Sequence, residues 1–181
     1  MEQLRDTVSA CGAAVIAFSG GVDSTIVAAV AAQTLGHKAL AVTARSPSLP
    51  DSEYDDARRI AAEIGIQHRI VETREYERPG YIANNGDRCY HCKDELYDHL
   101  TPIARELGGV ILNGANQDDL GDYRPGLRAA REHGVRSPLV EAGCTKAHVR
   151  ELSRLLHLPN WDKPAMACLA SRLPTGTPVT V

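Results

Sequence analysis

The stretch Ala13-Ala14-Val15-Ile16-Ala17-Phe18-Ser19-Gly20-Gly21-Val22-Asp23-Ser24-Thr25 decides the fold. Six mostly apolar residues without turn formers predict a buried strand. Ser19-Gly20-Gly21 breaks it before an Ala-rich helical pattern runs from Ser24 to Leu35. A glycine loop therefore joins a strand to a helix. Adjacent glycines let a backbone approach a ligand closely, and the free N–H groups opening the next helix carry the positive end of its dipole. The junction is built to hold phosphate. It is not a Walker A loop, because no Lys-Ser/Thr pair follows the glycines.

Outward from this junction, Met1 to Gly12 reads as a short amphipathic helix with Leu4 and Val8 on one face. Lys38 to Ala44 reads as a second strand, Asp51 to Ile64 as a helix and His68 to Val71 as a third strand. The alternation β-α-β-α-β predicts right-handed crossovers and a parallel sheet. Arg74 to Asp87 reads as an irregular loop and Asp94 to Leu107 as a helix that Pro102 should bend or break. Val110-Ile111-Leu112 is a further strand, followed by Asn113 to Asp119. Pro125 to His133 reads as a helix and Ser137 to Val140 as extended. Thr145 to Leu156 reads as a helix capped by Thr145. Thr177 to Val181 looks like the start of another strand. The fold class is α/β, a Rossmann-like parallel sheet with helices on both faces. The expected division is a phosphate-binding domain over residues 1–164 and a cysteine-bearing segment over 165–181.

With 181 residues, 43% of them apolar, the chain can bury one sizeable core. A net charge of −3 gives no basic footprint, which disfavours a nucleic-acid partner. No apolar run reaches membrane-span length and the N-terminus is too charged for a signal peptide, so the expectation is a cytoplasmic protein without a membrane partner. Five cysteines in such a setting argue for reduced thiols rather than a disulfide framework.

Ligands of open parallel sheets bind beyond the carboxyl ends of the strands. That rule gathers Ser19, Gly20, Gly21, Asp23 and Ser24 with Thr43 and with Gly114 as nucleotide-binding candidates. Asp23 and Ser24 suit phosphate and Mg²⁺, because a carboxylate beside a nest of N–H groups repels phosphate unless a cation intervenes. Asp118, Asp119 and Asp122 offer further oxygen ligands or, alternatively, helix caps. Gly114 is expected to allow close approach of the nucleotide. Cys89-Tyr90-His91-Cys92 is a CxxC, which by itself fits a redox pair, half a zinc site or iron–sulfur ligands. Cys168 stands alone in Ala167-Cys168-Leu169-Ala170-Ser171-Arg172, where Arg172 one helical turn away would favour the thiolate. Cys11 and Cys144 read as structural. Arg88 and Lys93 could meet a substrate phosphate or be solvated.

Ser-Gly-Gly-Val-Asp-Ser resembles the signature of the PP-loop ATP pyrophosphatases. Taken with Arg88-Cys89-Tyr90-His91-Cys92-Lys93 and Ala167 to Arg172, it makes the whole chain similar to the LarE-type sulfur transferases. The resemblance implies an ATP-dependent, AMP-forming enzyme of nickel-pincer cofactor biosynthesis. It would adenylate a pyridinium carboxylate mononucleotide and insert sulfur to form a thiocarboxylate. It implies Cys168 as the sulfur-handling residue, with Ser171 and Arg172 orienting the reacting groups and Mg²⁺ near Asp23 and Asp118. In one branch that cysteine gives up its own sulfur. In another, three cysteines, here Cys89, Cys92 and Cys168, hold a [4Fe–4S] cluster with one iron left open. All three are present, which favours the cluster. The family continues past the position of Val181 into a smaller region implied in substrate binding and oligomer contacts, so a homo-oligomer is expected of the full-length form. The rival readings are a PP-loop enzyme of tRNA thiolation and a non-catalytic nucleotide or iron–sulfur binding module.

Overall fold

The computed structural model describes residues 1–121 and 123–180, so the expectations at Asp122 and Val181 lie outside the described residues. In chain order the elements are α1 (Glu2–Ser9), β1 (Ala14–Ala17), α2 (Val22–Leu35), β2 (Ala39–Arg45), α3 (Asp51–Glu63) and β3 (Gln67–Glu72). They continue with α4 (Pro79–Ala83), α5 (Arg88–Leu107), β4 (Val110–Leu112), α6 (Pro125–Glu132), α7 (Pro138–Glu141) and α8 (Lys146–Leu155). Four strands pair in parallel in the order β3-β2-β1-β4. From β1 the chain runs outward to β2 and β3, then crosses back to lay β4 on the other side of β1. The cavity of the molecule opens beside that reversal, at the carboxyl ends of β1 and β2, where Ala17, Phe18, Val42, Thr43 and Ala44 line it, the end of the sheet where such folds bind ligands.

The period of two along each strand divides the core between the two faces. Ala14 and Ile16 of β1, Ala39 and Ala41 of β2 and Leu112 of β4 join α1, α2, α3 and α8 on one face. Val15, Val42 and Ile111 join Leu96, Leu100 and Ala104 of α5 and Ala129 and Ala130 of α6 on the other. Helix α2 is the spine of the first face. From Val22 to Ala31 every residue except Asp23 is buried. A helix covered on all sides needs small side chains, which is why four of those ten residues are alanine or serine.

Several local expectations are corrected. Helix α5 begins at Arg88 rather than Asp94, so the CxxC lies within its first five residues, and it continues through Pro102. Pro102 is exposed, so the carbonyl it leaves without an N–H donor can be hydrated. Arg74 to Asp87 is not irregular: a 3-10 turn covers Glu75–Glu77 and α4 starts on Pro79, whose missing N–H costs nothing at a helix start. Ser137 to Val140 is not extended, since Pro138 likewise opens the single turn α7. Among the described residues no strand forms beyond Leu173. Instead that segment is pinned to α4, with the Gly176 amide donating to the Asn84 carbonyl at 2.9 Å and the Val179 amide to the Ile82 carbonyl at 2.9 Å.

Candidate active site

The loop after β1 is shaped by its own serines. Ser24 is buried; its hydroxyl accepts from the Ser19 amide at 3.2 Å and donates to the Gly21 carbonyl at 3.1 Å. Gly20 has φ +71°, and a Cβ there would meet Cα of Ala57 at 3.0 Å, so both backbone and space demand glycine. No side chain caps the amino end of α2, and its first-turn amides remain available to an anion. Ser24 therefore builds the loop. Thr43 is likewise turned inward: its hydroxyl donates to the Phe18 carbonyl at 2.8 Å, so His68 Nε2, also at 2.8 Å, is the donor to it.

Gly114 is corrected. Its absent Cβ would lie 2.7 Å from the Ser24 amide nitrogen and 2.9 Å from the Asp23 carbonyl carbon. The close approach it permits is between the exit of β4 and the start of α2, and Gly114 does not line the cavity. Asp118 is also put to another use, since Oδ2 accepts from the Lys146 amide at 2.9 Å and so caps α8. Asp119 pairs with Arg124 at 2.9 Å.

A loop that carries no lysine of its own receives one from 123 residues away. Lys146 Nζ bonds Asp23 Oδ2, while Asn116 Nδ2 donates to Oδ1 of the same carboxylate at 3.1 Å. Asn160 reaches the loop from 140 residues away, its Nδ2 donating to the Gly20 carbonyl at 2.8 Å and to Thr25 Oγ1 at 2.9 Å. Neither residue carries a local signal in the sequence. Both arrive through the packing of α8 and the turn after it against α2.

One cavity of about 420 Å³ unites the glycine loop with the cysteines. Its wall includes Ser19, Gly21, Asp23 and Thr43 at one end and Cys92, Lys93 and Cys168 at the other. Cys89 and Cys168 are exposed, and all five cysteines are free thiols. Burial pushes the Cys92 thiol up to about 11. The thiols of Cys89, Cys92 and Cys168 all bear electrostatically on the Lys93 ammonium. Lys163 also reaches the cavity, paired with Glu53 at 3.0 Å and Asp56 at 2.8 Å.

The Cys168 loop is held from below. Arg88 donates to Asn84 Oδ1 at 2.8 Å and to the Ala170 carbonyl at 2.7 Å, so it is a structural clamp rather than a solvated charge or a phosphate ligand. Buried Asn84 donates to the Pro174 and Thr177 carbonyls at 2.9 and 3.0 Å, and the Leu169 amide reaches the Ser48 carbonyl at 3.0 Å. Cys168 is the residue immediately before the 3-10 turn Leu169–Arg172, and Ser171 Oγ closes that turn onto the Cys168 carbonyl at 2.6 Å. Ser171 and Arg172 are exposed and lie off the cavity wall. Cys144 is buried and Cys11 half-buried, with the Arg136 guanidinium 3.1 Å from the Cys11 sulfur.

A family model described as asparagine synthase matches residues 2–84. The uncharacterized protein slr1717 of Synechocystis sp. (strain PCC 6803) is 52% identical over all of this chain, which covers 68% of it. The pyridinium-3,5-bisthiocarboxylic acid mononucleotide synthase of Lactiplantibacillus plantarum is 41% identical over 91% of this chain and 60% of its own length. Thus the chain spans about three fifths to two thirds of these relatives. In fold it is similar to an NMN synthetase from Francisella tularensis, with a TM-score of 0.69 at 20% identity over 97% of this chain and 78% of that one. At 41% identity to the Lactiplantibacillus plantarum synthase over 91% of its own residues, the chain belongs to the LarE-type family of PP-loop ATP pyrophosphatases.

Proposed function

We propose that the chain is the catalytic core of an ATP-dependent sulfur transferase that converts a carboxylate of a pyridinium mononucleotide into a thiocarboxylate. The observation that supports this reading is the single cavity bounded by the phosphate-binding loop and by Cys168. A substrate carboxylate oxygen attacks the α-phosphorus of ATP, the α–β bridging bond breaks, and pyrophosphate leaves toward the amides of α2. Those fixed N–H groups stabilise charge as it develops on the leaving oxygens. Lys146, freed from Asp23 by the arriving phosphates, supplies a cation at the same place. Sulfur then attacks the acyl carbon of the adenylate, and the C–O bond to AMP breaks.

The donor sets can be tested against the groups the family implies. For Mg²⁺ the carboxylate that fits is Asp23, which lines the cavity, whereas Asp118 spends an oxygen on α8. The free thiols of Cys89, Cys92 and Cys168, the last two on the cavity wall, are the soft donors that suit a [4Fe–4S] cluster. Cys89, Cys92 and Cys168 would hold it, and its chemistry there is to offer one iron without a protein ligand for an extra sulfide. No helix among the described residues is long and apolar enough to cross a membrane.

The test is AMP release from Mg·ATP that depends on a pyridinium carboxylate mononucleotide, followed by mass spectrometry of the nucleotide product. Cys168→Ser should keep pyrophosphate release and lose the thiocarboxylate. Turnover of ATP indifferent to the pyridinium nucleotide, or driven by bulk tRNA instead, would refute the reading.

A further inference from the structure

Three carboxylates line the cavity: Asp23, Glu53 and Glu75. Asp23 is paired with Lys146 and Glu53 with Lys163. Glu75 has no ion pair among the described residues, although it is only 3% exposed. A carboxylate so deeply buried is costly unless a cation or several donors face it. Among the described residues its side-chain partner is the Ser46 hydroxyl, which donates to Oε1 at 2.5 Å.

That serine fixes where the charge lies. Ser46 Oγ also accepts from the Ser48 amide at 3.2 Å, and the Ser48 carbonyl accepts from the Leu169 amide at 3.0 Å. A continuous run of hydrogen bonds thus ties Glu75 to the residue next to Cys168. The neighbouring Cys92 and Tyr81 both feel the negative field of Glu75. The carboxylate thus lines the cavity beside the loop that carries Cys168.

Resting on the function proposed above, we infer that Glu75 is a specificity-determining residue: the buried counter-charge that selects a cationic pyridinium ring over a neutral ring of the same shape. The reacting carboxyl of such a substrate is attached to the charged ring itself, so a group delivered to Cys168 brings the ring's positive charge to the same end. A pyridinium satisfies the unpaired carboxylate, and a neutral isostere leaves it buried and unpaired. Discrimination by leaving a buried group unsatisfied is stronger than discrimination by shape alone.

Calorimetry on the whole chain tests this, with Mg²⁺ and a non-hydrolysable ATP analogue present. The probes are pyridinium-3-carboxylate mononucleotide and its neutral isostere, the 3-carboxyphenyl C-riboside 5′-phosphate. The unaltered chain should prefer the cation by at least about tenfold, which corresponds to about 1.4 kcal/mol. Glu75→Gln should lower the preference to about twofold or less through weaker binding of the cation, with the affinity for the ATP analogue unchanged. Should Glu75→Gln not fold, Glu75→Asp, whose carboxylate is withdrawn by one methylene, must still reduce the preference. An unaltered chain without preference, or a Glu75 variant that keeps it in full, overturns the inference. A chain that binds the ATP analogue but neither probe refutes the functional reading, and the inference with it.

Discussion

Replacing Gly114 by alanine should damage the phosphate-binding end of the molecule from outside the cavity. The new Cβ would lie 2.7 Å from the Ser24 nitrogen, 2.9 Å from the Asp23 carbonyl carbon and 3.0 Å from the Ser24 Cα. All three are main-chain atoms of the first turn of α2, so no side chain can rotate away. To reach ordinary contact, 3.4 Å or more, the Ser24 amide must retreat by about 0.7 Å, the difference from 2.7 Å. Overpacking of this kind costs about 1–3 kcal/mol. At about 2–4 °C per kcal/mol for a chain of this size, the melting temperature should fall by roughly 2–12 °C. Since the displaced amides are those offered to phosphate, ATP affinity should fall by about tenfold or more. Differential scanning calorimetry and titration with ATP measure the two effects. Gly121→Ala is the control, for a Cβ there meets nothing within 4 Å and both quantities should stay at the unaltered values. A Gly114→Ala protein that melts with the parent and binds ATP equally well would refute the packing argument.

Arg88→Ala should remove the bond that holds the Cys168 loop to α5 at the Ala170 carbonyl and the bond that steadies the Asn84 side chain, each worth about 1.5–3 kcal/mol for a charged donor. Limited proteolysis should then cut between residues 165 and 180 well before the rest of the chain, and equal protection of that segment would count against the clamp. His68 gives a pH signature: burial first, then the Arg58 charge, hold its pKa below the usual 6.5. Because the unfolded chain takes up the proton first as pH falls, stability is complete above about pH 6.5 and declines below it. His68→Gln, which keeps a donor for Thr43, should flatten that decline in urea unfolding between pH 7.5 and 5.5. The same loss in the variant would show that other groups cause it.

The strand-loop-helix junction and the parallel β-α-β order are legible from the chain alone. They depend on local chemistry: apolar runs of strand length, glycines where the backbone must turn, alanines where a helix must be covered on all sides. Ser19 to Ser24 and Cys168 could each be singled out because each motif is contiguous. Helix α5 shows the limit of local reading, since Pro102 looks like a break and is tolerated only because its face is turned to solvent. Gly114 and Asp118 look like ligand-binding residues by type, and only their neighbours in space assign them to packing and capping. The groups that furnish the cavity with charge, Lys146, Lys163 and Glu75, and the Asn160 that steadies Gly20, have no motif. They come from segments far apart in sequence, and a pairing between such segments is a property of the assembled core, where a buried charge or amide must find whatever partner the packing brings within reach.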